Sequence, residues 1–228
     1  GLEALFGYLY LKGRQERLGE LFDICVRSID APAKSGGSTE RKDEPMPLDA
    51  LCLTALAEEL RQALIGAKID KIQQPERDTL LLTLHTRAGS RRLLISAGTG
   101  DARCHFTEAA FENPPQPPMF CMLLRKHLTG ARITALTQPP CERQLDFHLE
   151  GSDAIGDRVE KHLILELMGR YSNVILTDGE YYIIDCLSRV DMLMSEKRQL
   201  LPGLVYRLPP QDKTPALDIS PGAFRELA

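Results

Sequence analysis

The chain has 228 residues, 43% hydrophobic and 26% charged, which is enough apolar material for one large packed domain or a domain with an appendage. Its formal charge of −4 excludes a global basic field, so any nucleic-acid contact must come from local basic clusters. No apolar run reaches the ~18 residues of a membrane span, and the N-terminal stretch lacks the basic-then-apolar order of a signal peptide.

Six cysteines, at 25, 52, 104, 121, 141 and 186, form neither CxxC pairs nor a zinc spacing. They read as separate buried thiols of a reducing, cytoplasmic compartment. No cofactor or metal motif is present, and neither a hydrolase elbow, a P-loop nor a Rossmann glycine pattern occurs.

Residues 2–29 read as helix, because Leu18, Leu21, Phe22, Cys25, Val26 and Ile29 recur at helical spacing. Residues 30–45, DAPAKSGGSTERKDEP, are rich in Pro, Gly, Ser and charge and read as a linker. A helix is expected over 49–65, with Asp49 as N-cap, Leu53, Leu56, Leu60 and Leu64 on one face and Gly66 near its stop.

The period then shifts to two. KIDKIQQ, TLLLTLHTR, RRLLISAG and RCHFTE read as strands, with the middle two joined by AGS as a hairpin. His105, on the last of these, reads as structural. The proline-rich FENPPQPPM is a loop. It leads into a short amphipathic helix, MFCMLLRKHLTG, with Met119, Met122, Leu123 and Leu124 as apolar candidates and Arg125, Lys126 and His127 at its end.

RITALTQ, QLDFHLE, HLILELMG, NVILTD and YYIIDCLS continue as strands. The fold class is α+β, with mostly antiparallel, mixed sheets and few helices. The proline-punctuated end, from about 216, reads as the start of a further element.

Two longer segments carry more than periodicity. They are FENPPQPPMFCMLLRKHLTGARI (111–133) and ELMGRYSNVILTDGEYYIID (166–185). Together with MPLDALCLTALAEELRQALIGAKIDKIQQPE and LLPGLVYRLPPQDK, they resemble the N-terminal domain of the NFACT family, from Met46 to about Pro215. An older family description is fibronectin-binding protein A N-terminal domain.

The resemblance implies a non-enzymatic, cytoplasmic factor of ribosome quality control. It would bind tRNA, alanine tRNA in bacteria, and the large ribosomal subunit carrying a stalled nascent chain, and would support template-free alanine tailing. It also implies a fold similar to formamidopyrimidine-DNA glycosylases.

Carried over residue by residue, the tRNA-binding positions are Asp49, the pair Glu142–Arg143, and Glu166, Leu167, Met168 and Arg170 of ELMGR. The family has Asp where Glu142 stands, and the longer arm re-aims any bidentate contact. An acid beside an Arg can fix the guanidinium plane for stacking on or forking to a base, whereas an exposed turn ion pair by itself does little. Arg125 and Lys126 have two readings, as phosphate contacts or as favourable charge at a helix C-terminus.

Residues 2–29 are similar to the last helices of mini-ribonuclease III, with Glu3 at a metal-binding carboxylate. One carboxylate without its partner ligands does not make a two-metal nuclease. A glycosylase or lyase is a competing reading, and so is a surface fibronectin-binding adhesin. Against the first, Pro47 is an internal amide without a nucleophilic lone pair.

Overall fold

The computed structural model describes residues 50–209 with the exception of 141 and 154. The expected helix over 2–29 with Glu3, the linker at 30–45, Asp49 and the segment from 216 onward lie outside the described residues.

Helix α1 (Ala50–Leu64) forms where expected. Leu53, Leu56, Leu60 and Leu64 are 0–3% exposed, a single stripe facing the sheet. Gly66 ends the helix with φ +85°, a conformation that costs a residue without Cβ least.

Nine strands follow: β1 (Lys68–Glu76), β2 (Thr79–Thr86), β3 (Gly89–Ser96), β4 (Arg103–Phe106), β5 (Arg132–Thr137), β6 (Gln144–Ser152), β7 (Arg158–Glu166), β8 (Asn173–Asp178) and β9 (Ile183–Cys186). Helix α2 (Met119–Leu128) lies between β4 and β5.

The strands build one sheet in the order β4-β3-β2-β1-β5-β6-β7-β8-β9. Every pairing is antiparallel, so the expected mixture of sheets resolves into a single antiparallel one. Two meanders meet at the β1–β5 seam, where only Lys68 and Arg132 pair in register. Further main-chain bonds hold the seam, from Ile69 N to Ala131 O (2.8 Å), Gly130 N to Ile69 O (2.8 Å) and Ile133 N to Ala67 O (2.9 Å). Register shifts in β1 and β5 next to the seam bend the sheet there. Both helices span the seam, α1 packing on β5 and β2, and α2 on β1 and β6.

The main core lies between this helical layer and the sheet, and includes Leu145, Phe147, Leu149, Leu163, Leu165, Val174 and Leu176. A smaller core covers the opposite face of β7–β9, with Ile164, Ile175, Ile183, Cys186, Leu200 and Tyr206. Strands β7 and β8 therefore read as nearly continuous apolar runs, because both of their faces are covered.

Two expectations are corrected. On α2 the buried residues are Phe120, Cys121, Leu124 and Leu128, while Met119 and Met122 are 81% and 52% exposed. The stripe that faces β1 and β6 runs through positions 120, 121, 124 and 128, which leaves Met119 and Met122 on the solvent side. The HLILELMG strand stops at Glu166, and Gly169–Tyr171 forms a 3-10 turn with Gly169 at φ +59°.

Cys104, Cys121 and Cys186 are buried as expected, and Cys52 is half-buried. Among the described residues no helix is long and apolar enough to cross a membrane.

Candidate nucleic-acid interface

The turn between β5 and β6 presents Glu142 and Arg143. Gln138 clamps it from within, donating to the carbonyls of Glu142 (2.8 Å) and Ala50 (3.2 Å). Glu142 N closes the turn on Pro139 O at 3.1 Å. Beyond the strand end, Leu167 N donates to Arg143 O at 2.8 Å, extending the β6–β7 ladder by one bond. Residues more than twenty positions apart in sequence, Glu142–Arg143 and Leu167–Met168, thus share one end of the sheet.

Glu142, Arg143 and Met168 are half-exposed, and Arg170 is exposed with its guanidinium 4.6 Å from the Tyr171 ring centroid. That arrangement offers a flat cationic and aromatic surface next to the turn.

Glu166 is placed differently. Its side chain is 1% exposed and forms a two-pronged pair with Arg198, with Nη1 at 3.0 Å and Nη2 also bonded. Tyr206 donates its hydroxyl to the same carboxylate at 2.6 Å. Burial works against the charge of Arg198, but the hydrogen bond and charge of Glu166 outweigh it and raise the guanidinium's pKa. Burial and the Glu166 charge push the Tyr206 phenol far up. Glu166 therefore holds segment 198–206 against the sheet and presents no oxygen to solvent.

Arg125 and Lys126 sit on α2, in the helical layer. Arg125 Nε donates to Ile72 O at 2.7 Å, so its stem is committed to β1. Lys126 is exposed. Among the described residues no hydrogen bond or ion pair links either of them to the 142–170 group. Burial, then Lys161 and Lys126, hold the neighbouring His127 below its ordinary range.

Beside the Glu142–Arg143 turn opens a cleft of about 400 Å³. Gln138, Pro139, Gln144, Asp146, Tyr181 and Tyr206 line it. A second cleft of about 440 Å³ adjoins it at Leu208 and carries Lys197, Arg198 and Arg207. Lys197 and Arg207 are exposed, which gives the acidic chain a local basic rim.

Sequence reasoning missed both the polar floor and the basic rim. The signal for the floor is the alternation of Gln144, Asp146 and His148 with Leu145, Phe147 and Leu149 along β6, which sends one set to each face. The rim has no local signal, since it depends on how segment 188–207 folds back over β7–β9.

Comparison with known proteins gives this geometry a family. A model of the NFACT N-terminal and middle domains matches residues 49–228. The chain is 40% identical over 177 residues to the Rqc2 homolog RqcH of Bacillus subtilis, covering 77% of this chain and 31% of that protein. It is 34% identical over 174 residues to the archaeal Rqc2 homolog aRqcH of Methanocaldococcus jannaschii, covering 75% of this chain and 24% of that one. Over 135 residues it is 33% identical to the human ribosome quality control complex subunit NEMF, covering 59% and 12%. The chain thus spans about a third of the length of its bacterial relatives.

Among solved structures it is similar to the N-terminal domain of the fibronectin-binding protein PavA from Streptococcus pneumoniae. The TM-score is 0.73 at 35% identity, over 79% of this chain and 68% of that one. With 180 of its residues inside the family match and this sheet in common with a solved relative, the chain belongs to the NFACT family.

Proposed function

We propose that this chain is the tRNA-gripping part of a ribosome quality control factor. It binds tRNA and the large ribosomal subunit with its stalled nascent chain, and it supports template-free alanine tailing without being an enzyme itself. The site of action is the cytoplasm, and the sheet and its two helices correspond to the glycosylase-like fold that the sequence resemblance implies.

The observation that carries this reading is the anchored Glu142–Arg143 turn, tied to Leu167 through the main chain and next in sequence to residues of a polar-floored cleft, which a second, basic cleft adjoins at Leu208. A guanidinium held on a rigid sheet end suits the base edges of single-stranded tRNA loops. Lys197 and Arg207 on the rim, and Lys126 on α2, supply phosphate contacts that position the RNA without reading its sequence. Glu166 acts here through Arg198 and Tyr206, as the support of the rim.

The test is a titration of the wild-type chain, Arg143→Ala and Lys126→Ala against alanine tRNA and an unrelated tRNA at several salt concentrations. Binding is expected to be weak and to fall steeply with salt. Arg143→Ala is expected to cost about 1–3 kcal/mol, as a base contact does. Lys126→Ala should weaken both tRNAs alike and flatten the salt slope. Unchanged affinity in Arg143→Ala would leave the turn as a surface ion pair and move the site toward Asp49 and Arg170.

The names of the solved relatives support a second reading, a fibronectin-binding surface. Retention on immobilised fibronectin together with no measurable tRNA binding would favour that reading over the first.

A further inference from the structure

On the sheet face opposite the helices, two buried carboxylates are treated differently. Glu166 has Arg198 as its cation. Asp146, six paired positions from the β6–β7 loop end, has none. Its side chain is 7% exposed, and no Lys or Arg pairs with it among the described residues. What surrounds it is a set of metal-ligand atoms. His162 Nδ1 lies 3.0 Å from Asp146 Oδ1 and 3.2 Å from Oδ2. His148 Nε2 lies 3.6 Å from Oδ2. The Tyr181 hydroxyl donates to Oδ2 at 2.9 Å.

We propose that Asp146, His148 and His162 form a binding site for a divalent first-row transition metal, with Zn²⁺ as its simplest occupant. Among the described residues this is the one cluster of three such side chains, with its ligand atoms all within 4.8 Å of one another.

The sheet builds the site. His148 and His162 are directly opposite each other in the antiparallel register, and Asp146 lies two residues along the same face. Ligand atoms on a tetrahedral zinc with bonds of about 2.0–2.1 Å stand about 3.3 Å apart, and the spacings of 3.2 and 3.6 Å from Asp146 Oδ2 to His162 Nδ1 and His148 Nε2 bracket that edge. Closing the remaining distance falls to His148, the most exposed of the three at 31%. Its ring gives up the Thr137 contact at 3.1 Å to do so, whereas His162 is held by stacking on Tyr181 at 4.2 Å.

The outer contacts fit the same reading. The Tyr181 hydroxyl donates to Oδ2 of the ligating carboxylate, the kind of outer hydrogen bond that orients ligands in metal sites. Tyr181 adopts φ +65°, uncommon for a residue with a Cβ, and so places its ring over His162 and its hydroxyl on Asp146. The Thr137 hydroxyl lies 3.1 Å from His148 Nε2; when it donates it occupies that nitrogen's single lone pair, so an ion bound there replaces this bond. Ligation through Nδ1 takes the neutral His162 tautomer that carries its proton on Nε2, so the Nδ1 contact to Asp146 is exchanged for the bond to the ion.

Three protein ligands leave at least one position open. Asp146 and Thr137 both line the 400 Å³ cleft, so that position faces the cleft, and the ion supplies positive charge at a wall that otherwise offers carboxylate oxygen. This site is independent of the Glu142–Arg143 contact, and either can fail without the other.

The experiment uses the whole 228-residue chain, stripped of metal, titrated with Zn²⁺ by calorimetry and with Co²⁺ by visible absorption. The expected result is one equivalent bound, with Co²⁺ d–d bands and no intense thiolate charge-transfer band, since all three ligands are nitrogen or oxygen. His148→Gln, at a partly exposed position, and the isosteric Asp146→Asn should each lower Zn²⁺ affinity at least tenfold. No binding by the wild-type chain, a thiolate band that assigns the ion to cysteines, or unchanged affinity in both variants would each overturn the proposal.

Discussion

Arg198→Ala isolates the buried ion pair that holds segment 188–207 to the sheet. Glu166 is 1% exposed and Arg198 14%, so the pair is shielded from solvent on both sides. Removing the guanidinium leaves the carboxylate with only the Tyr206 hydroxyl at 2.6 Å. Breaking a buried pair in this way costs about 3–5 kcal/mol. The surviving Tyr206 bond places the expected loss near the lower end, about 3 kcal/mol. At about 2–4 °C per kcal/mol for a domain of this size, the melting temperature should fall by roughly 6–12 °C. The double variant Arg198→Met with Glu166→Gln removes both charges together and is expected to lie within about 1 kcal/mol of wild type. Urea unfolding at neutral pH measures all three proteins. A loss below about 1 kcal/mol in Arg198→Ala would mean that the carboxylate reaches water, and Glu166 would then become a candidate for direct contact with RNA instead of a support.

Leu124→Ala on α2 should cost about 2–5 kcal/mol, since Leu124 is fully buried, whereas Met122→Gln at a half-exposed position should change stability by no more than about 0.5 kcal/mol. Urea midpoints separate the two, and the reverse order would restore the methionine face expected from sequence. His127 gives a pH dependence. Burial, then Lys161 and Lys126, hold its pKa below the ordinary 6.5, so the unfolded chain takes up the proton first. The sign is therefore that stability is full above pH 6.5 and declines as pH falls through that value toward the lower folded pKa. His127→Gln should lose less stability than wild type between pH 7.5 and 5.5, and parallel losses in the two proteins would refute the assignment.

Most of the fold is legible from local patterning. The Leu53–Leu64 stripe, the period-two segments and the proline-rich loop before α2 each encode one element through short-range spacing. The misplaced α2 face shows where this stops. In MFCMLLRKHL seven of the ten residues are apolar, so composition does not fix the helix phase. The facing strands decide it, taking Phe120, Cys121, Leu124 and Leu128 inward. The single sheet is likewise not in the pattern, because the β1–β5 seam rests on main-chain bonds between segments some sixty residues apart, such as Ile69 with Ala131.

The site divides along the same line. Glu142–Arg143 and the ELMGR segment are visible as motifs because each is contiguous, and the strand ladder then sets them side by side. The role of Glu166 depends on Arg198, 32 residues downstream, and on Tyr206, 40 residues downstream. No spacing rule links them, so a strand-end acid looks exposed until the partner segment folds over it. The Asp146–His148–His162 cluster is an intermediate case. Alternation along β6 puts Asp146 and His148 on one face, but bringing in His162 requires the register, which the loop between β6 and β7 sets. Asp153 fixes that loop by accepting from the amides of Ile155 and Asp157 through Oδ1, at 2.9 Å each, while its own amide donates to Asp157 O. A one-residue slip there would send His162 to the helical face, away from Asp146 and His148. The chemistry on this face of the sheet is thus decided by a loop turn some distance from it, which is why scanning for ligand spacing in the linear sequence does not find it.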